Sequence, residues 1–274
     1  MTDFIDSLMA EKYLEHRYET ATGARFPMPD ENFVSSWREW LAGVADFPGE
    51  ARDVLTGGKT RAWIEETPAG GVPVVYAPDR EVFERIVAFL SAEDEVCALP
   101  ASVNAFTVPA KHADFRGHRV ICLARAGYSA LSGGDVGLPG DEWVERSLTI
   151  RLNHECCHYF TLRVLGGMKD HALDEIIADC VGQLAAFGKF SADMQRHFFG
   201  IADGVLSPSN PGGRLSFYVK KLPSGAVNRV CSEVDRALDG LERYLSTNPG
   251  VARETPSLIM RLAAAGIRGM GDMG

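Results

Sequence analysis

An α+β fold, with a helical start, a small sheet carrying one helix and a mostly helical C-terminal region, is predicted by three observations on the 274-residue sequence. Short β-branched runs punctuated by turn residues are confined to about residues 61–131. Apolar residues at helical spacing dominate before and after that stretch. A hydrophobic content of 46% is enough to bury a large core.

Residues 1–58 read as three helical pieces, near 2–19, at 31–43 ("ENFVSSWREWLAG") and briefly after Pro48, with Gly57 and Gly58 closing the region. "RAWIEET", a turn at "PAGG" and "VPVVYA" follow as two strands, and "DREVFERIVAFL" returns to helical spacing. "ASVNAFTVP" and "HRVICLARAGYSAL" are the next strands, separated by a polar loop at 110–117. After the loop "SGGDVGLPG", Asp141 is the expected N-cap of a helix that runs to Gly166 and Gly167, a C-terminal stop signal. Further helices are expected near 171–187, 191–202, 225–246 and 255–266, with "SPSNPGG" at 207–213 as a hinge or active-site loop. No internal repeat or low-complexity segment is found. Three regions result: an N-terminal helical region at 1–58, a core at 59–190, and a C-terminal helical region at 191–274 packed as one unit with the core.

A formal charge of −9 and a pI near 5.3 argue against a nucleic-acid partner, because such proteins present a basic face to the phosphates. The first twenty residues mix charges through their apolar positions, unlike a secretory signal. No apolar run reaches the roughly 18 residues of a membrane span, and "SLIMRLAAAGI" is broken by Arg261. A cytoplasmic protein without a membrane partner is expected. Cys97, Cys122, Cys156, Cys157, Cys180 and Cys231 show no CxxC and no disulfide-framework spacing, so they are expected to be reduced core thiols.

The chemistry concentrates in "LTIRLNHECCHYFTLRVLGG", residues 148–167. A buried ionisable group costs several kcal/mol unless something compensates it, so two imidazoles and a carboxylate in the middle of a core helix need a partner. Residues four apart share a helix face, which lets His154 and His158 aim two ring nitrogens at a single ion. Glu155, one position round, flanks that ion and can take a proton from its water. A catalytic zinc takes three protein ligands and leaves a fourth position open. The Gly166-Gly167 reversal lays residues 171–187 back across the first helix and brings Glu175 as the third donor. Asp179, one turn further, shares its face and is placed to accept the free N–H of a ligand histidine.

"HECCH" followed by "DEIIAD" resembles the gluzincin metallopeptidases, whose pattern is HExxH and then, on the next helix, a Glu ligand with an Asp four residues later. The resemblance covers roughly residues 101–188 and implies a zincin-like fold, with a small sheet whose edge strand packs on the active-site helix. It implies His154, His158 and Glu175 as ligands of one Zn2+ per chain, Glu155 as general base, and Asp179 as the residue steadying a ligand. "VNAFTVP" resembles the Asn-Ala-Phe edge strand found before the active-site helix in several gluzincin families. Asn104, Ala105 and Phe106 would there pair with an extended peptide.

Other zincin classes fit less well. A metzincin needs Gly at 161 and His at 164, where Thr161 and Val164 stand. Asp174 offers an alternative carboxylate about 100° round the helix from Glu175, and His171 lies four residues before Glu175. Cys156 is turned nearly opposite the histidines, whereas Cys157 lies nearer the metal face and is an alternative ligand. Tyr218 and His197, with Arg214, are the residues considered for stabilising an oxyanion. The expected function is a zinc-dependent hydrolase, a peptidase acting on a peptide or protein through a water activated by Glu155 and zinc. The alternative is a non-catalytic, zinc-stabilised zincin-like interaction protein.

Overall fold

A computed structural model describes residues 2–19, 23–93, 99, 103–167, 169–210 and 213–273. Its helices are α1 (Thr2–Leu14), α2 (Asn32–Leu41), α3 (Ala51–Thr56), α4 (Arg80–Ser91), α5 (Gly140–Val164), α6 (Ala172–Phe187), α7 (Ala192–Phe199), α8 (Leu215–Val219), α9 (Ser224–Thr247) and α10 (Thr255–Gly271). The strands are β1 (Arg61–Thr67), β2 (Gly70–Ala77), β3 (Ala105–Pro109), β4 (Arg119–Ala124), β5 (Ile201–Ala202) and β6 (Val205–Leu206). The fold is α+β, as expected. Cys97, residues 101–102 of the third expected strand and residues 211–212 of the "SPSNPGG" loop lie outside the described residues. No helix among the described residues is long and apolar enough to cross a membrane.

The chain forms two compact units, residues 24–163 and residues 1–23 with 164–274. Position 58, expected as a boundary, falls inside the first unit, and position 190 inside the second.

The unit at 24–163 is built on a mixed four-stranded sheet of order β1-β2-β4-β3. β1 and β2 form an antiparallel hairpin with Ala62 opposite Val75, and β2 runs parallel to β4. β3 is an outer strand, antiparallel to β4 with Thr107 opposite Ile121. Every residue of β2 is buried, which explains why its sequence reads as a continuous apolar run and not as an alternation. Val75, Val108, Val120 and Cys122 of the sheet pack with Phe83 and Ile86 of α4 into an apolar core. Asp79 accepts from the Val82 N–H and so starts α4.

In α5 the buried positions Trp143, Ser147, Arg151, His154, His158 and Thr161 recur every three or four residues. The buried stripe of this helix is therefore polar at five of these six positions. Asp141, expected as the N-cap, sits within the first turn, where its charge suits the helix dipole. The strand expected through 131 stops at Ala124, because residues 125–131 leave the sheet for a loop held by α5.

In the other unit, α1 packs against α9 and α10, and α10 against α6 and α9. α6 is buried on nearly every side from Ala172 to Gln183 and stops at Gly188, whose φ of 70° is the left-handed conformation a helix C-terminus favours. The helix expected over 191–202 ends at Phe199, and the β5–β6 hairpin follows.

Candidate metal centre

His154 and His158 lie on the buried stripe of α5, each 6% exposed, and their Nε2 atoms are 2.9 Å apart. Two imidazole nitrogens at that separation share one proton, and a shift of a few tenths of an ångström would separate them as two ligands of one ion. The Nδ1 of His154 lies 2.9 Å from the hydroxyl of Tyr128. With the Tyr128 oxygen accepting from Nδ1–H, the lone pair of His154 falls on Nε2, the nitrogen turned to His158.

Tyr128 is positioned by α5 itself. The Ser147 Oγ accepts from the Tyr128 N–H at 2.9 Å, and the buried Arg151 donates to the carbonyls of Ala126 and Gly127 at 2.8 and 2.6 Å. The Trp143 indole N–H donates to the Leu131 carbonyl at 2.8 Å. Between those anchors Ser129 and Ala130 both take positive φ, 54° and 58°, a conformation that costs a side-chain-bearing residue about 1 kcal/mol or more. The hydrogen bonds from α5 offset that strain and leave Tyr128 fixed over His154.

Glu155, 8% exposed, accepts from the Thr107 hydroxyl at 2.6 Å. Thr107 belongs to β3, so the outer strand and the carboxylate that follows His154 in sequence are joined directly. Phe106 is exposed beside it, and Ala105 pairs with Leu123. Asn104 precedes the strand and is buried; its carbonyl accepts from Ala124 N–H at 2.8 Å and its Oδ1 from Arg80 at 3.2 Å. Cys157 is buried at 2% exposure, and burial raises the Cys156 thiol well above the usual range, so Cys156 favours the protonated, packing role.

In the other unit, Glu175 and Asp179 are both buried on α6, at 7% and 0% exposure. The Arg214 guanidinium donates to both, to Glu175 Oε2 at 3.0 Å and to Asp179 Oδ2. Gln195 also donates to Asp179, at 2.6 Å, and is steadied by Gln183. Tyr218 donates to Glu175, and burial together with that carboxylate raises the phenol's pKa. His197 is exposed, with Nδ1 2.9 Å from the Asp193 carbonyl, at a cleft of about 350 Å3 lined also by Arg196 and Asn210. Asp174, the alternative carboxylate, takes the Tyr18 hydroxyl and the Lys169 N–H on Oδ1.

The chain thus holds three buried donors, the His154 and His158 imidazoles in one unit and the Glu175 carboxylate in the other. Two His and one Glu match the donor preference of zinc. Tyr128, Thr107 and Gln195 did not emerge from the sequence. The only signal pointing to them was the rule that buried polar groups find partners, which says that a partner exists but not which residue it is.

Residues 108–268 match a family described as a family of unknown function (DUF7005), and because the match spans more than half of the chain the protein belongs to that family. No curated protein and no solved structure matches the chain.

Proposed function

We propose that the protein is a zinc-dependent hydrolase, a peptidase, in which His154, His158 and Glu175 hold one zinc ion and Glu155 is the general base. The observation that carries the reading is Glu155, a buried carboxylate next in sequence to His154 and tied at 2.6 Å to an outer sheet strand, on the helix whose two imidazoles bring their Nε2 atoms to 2.9 Å. A purely structural zinc prefers four protein ligands and has no use for a base beside it. Zinc bound there supplies Lewis acidity, lowering the pKa of a water towards 7 and polarising a carbonyl. Glu155 takes the proton of the attacking water and returns it to the leaving amine. Thr107 occupies one Glu155 oxygen and leaves the other for that proton. The free edge of β3 pairs with an extended peptide main chain, and Tyr128 holds the His154 ring in the ligating tautomer.

The test is Glu155→Gln, which removes the base and nearly preserves volume. Zinc content and melting temperature should stay near wild type, while chelator-sensitive cleavage of a mixed peptide library, read by mass spectrometry, falls by about 10² to 10⁴. Cleavage that survives the substitution places the activity elsewhere. A library left intact by zinc-loaded wild type overturns the peptidase reading and favours a zinc-stabilised interaction protein.

A further inference from the structure

A second group of donors lies wholly within the unit formed by residues 1–23 and 164–274. His16, which follows α1, and His171 and Asp174, at the start of α6, place ligand atoms within 4.8 Å of one another. Asp174 is fully buried, with its side chain 0% exposed, and the His16 side chain is 14% exposed. Asp174 Oδ1 is taken by Tyr18 and by the Lys169 N–H. Its Oδ2 and the His16 Nε2 are both shut off from solvent, and neither makes a hydrogen bond among the described residues. They face each other at 3.8 Å.

That separation is the informative quantity. A histidine and a carboxylate that stabilise each other directly close to about 2.7–2.9 Å, because the charge-assisted hydrogen bond is short. Two buried polar atoms left a full ångström further apart, with no other partner, need a reason. Two ligands of one four-coordinate zinc, each about 2.0–2.1 Å from the ion, stand about 3.4 Å apart, so a shift of a few tenths of an ångström fits a cation between them.

His171 supplies the third donor. Burial, then the neighbouring His16, push its pKa down to about 4, so the ring is neutral and able to ligate. Its Nδ1 accepts from Leu173 N–H at 3.0 Å and its Nε2 lies 3.1 Å from the Tyr13 carbonyl. Ligation through Nε2 exchanges those two neutral hydrogen bonds for a coordinate bond. The ring is held against Tyr13 by stacking at 4.0 Å and against His16 edge-on at 4.5 Å, which keeps it within reach during the exchange. Oxygen and imidazole donors in this number select a zinc-class transition ion over calcium or magnesium, which prefer oxygen alone.

We propose that His16, His171 and Asp174 bind a divalent transition-metal ion of their own, of the zinc class, which pins the segment after α1 to the start of α6. The site does not depend on His154 or His158. The full-length His154→Ala/His158→Ala variant, stripped with chelator, reloaded with zinc and desalted, should therefore retain close to one zinc per chain by elemental analysis. Adding His16→Gln or Asp174→Asn should remove it, together with the rise in melting temperature that zinc gives the double variant. A double variant that folds and carries no zinc overturns the proposal, as does zinc retained after His16→Gln. Should the double variant fail to fold, zinc-stripped wild type is titrated against a chromophoric chelator. Two equivalents falling to one with His16→Gln support the site, and a single equivalent insensitive to His16→Gln overturns it. A wild type holding one zinc that only His16→Gln removes leaves this site standing and sinks the His154, His158 and Glu175 reading.

Discussion

At the scale of single residues, HExxH was legible because four-residue spacing on a helix is a local property, and so was the pair of acids four apart on α6. Tyr128 was not, since it reaches His154 across 26 positions through a loop with no periodicity. Its role is measurable. Tyr128→Phe keeps the ring that packs under Arg151, whose guanidinium carbon lies 5.7 Å from the ring centre, and removes only the hydroxyl that fixes His154. Zinc affinity, measured by competition with a chromophoric chelator, should fall roughly tenfold or more while the melting temperature of the metal-free protein stays within a few degrees. Unchanged affinity would mean that the His154 tautomer is set by something else. Arg214 was considered as a group that meets substrate; the structure lays its guanidinium on Glu175 and Asp179, a charge-assisted pairing that no local pattern in the sequence reveals.

Among elements, long and strongly periodic ones were read to within a few residues, and the short ones after residue 200 were missed. β5 and β6 have two residues each, too few for an alternation to show, and α8 has five. α10 was expected to end at 266 and runs on to Gly271, because Gly266 at φ 67° turns the chain and a second helical piece begins behind it. α5 was expected as a helix, but its hold on the loop at 125–131 was not. That hold rests on Arg151, 2% exposed, which satisfies the Ala126 and Gly127 carbonyls. Arg151→Met retains much of the volume but leaves both half-buried carbonyls without their charged donor. The urea midpoint should drop by an amount worth about 3 kcal/mol with an unchanged m-value. A loss under about 1 kcal/mol would show that Ser147 and Trp143 suffice to hold the loop.

Over the whole molecule, the sequence suggested segments that succeed one another, whereas the structure gathers both chain ends into one unit. Nothing local marks this, because amphipathic spacing says that a helix buries a face and does not say against what. Ala10, Leu14 and Tyr18 are 2%, 4% and 7% exposed, and the Tyr18 N–H donates to the Ala263 carbonyl at 2.9 Å. The first helix is therefore part of a core. Leu14→Ala should cost about 2–4 kcal/mol in urea unfolding, the range for a buried leucine that leaves a cavity. A cost below about 1 kcal/mol would mean that α1 only rests on the surface of α9 and α10.

The joining of residue 18 to residue 263 also sets an order of events on the ribosome. The stretch from 24 to 163 can complete its own core as soon as it has emerged. The opening helix, with Phe4, Ile5 and Leu8 exposed even in the finished fold, can meet His171 through Tyr13 earlier, but Tyr18 behind it must wait for a partner made 245 residues later (263 minus 18). At about 5–20 residues per second that wait lasts roughly 10–50 s. During it Ala10 and Leu14 add to the apolar surface already shown by Phe4 and Leu8, and a nascent-chain chaperone has its longest opportunity at the N-terminal helix.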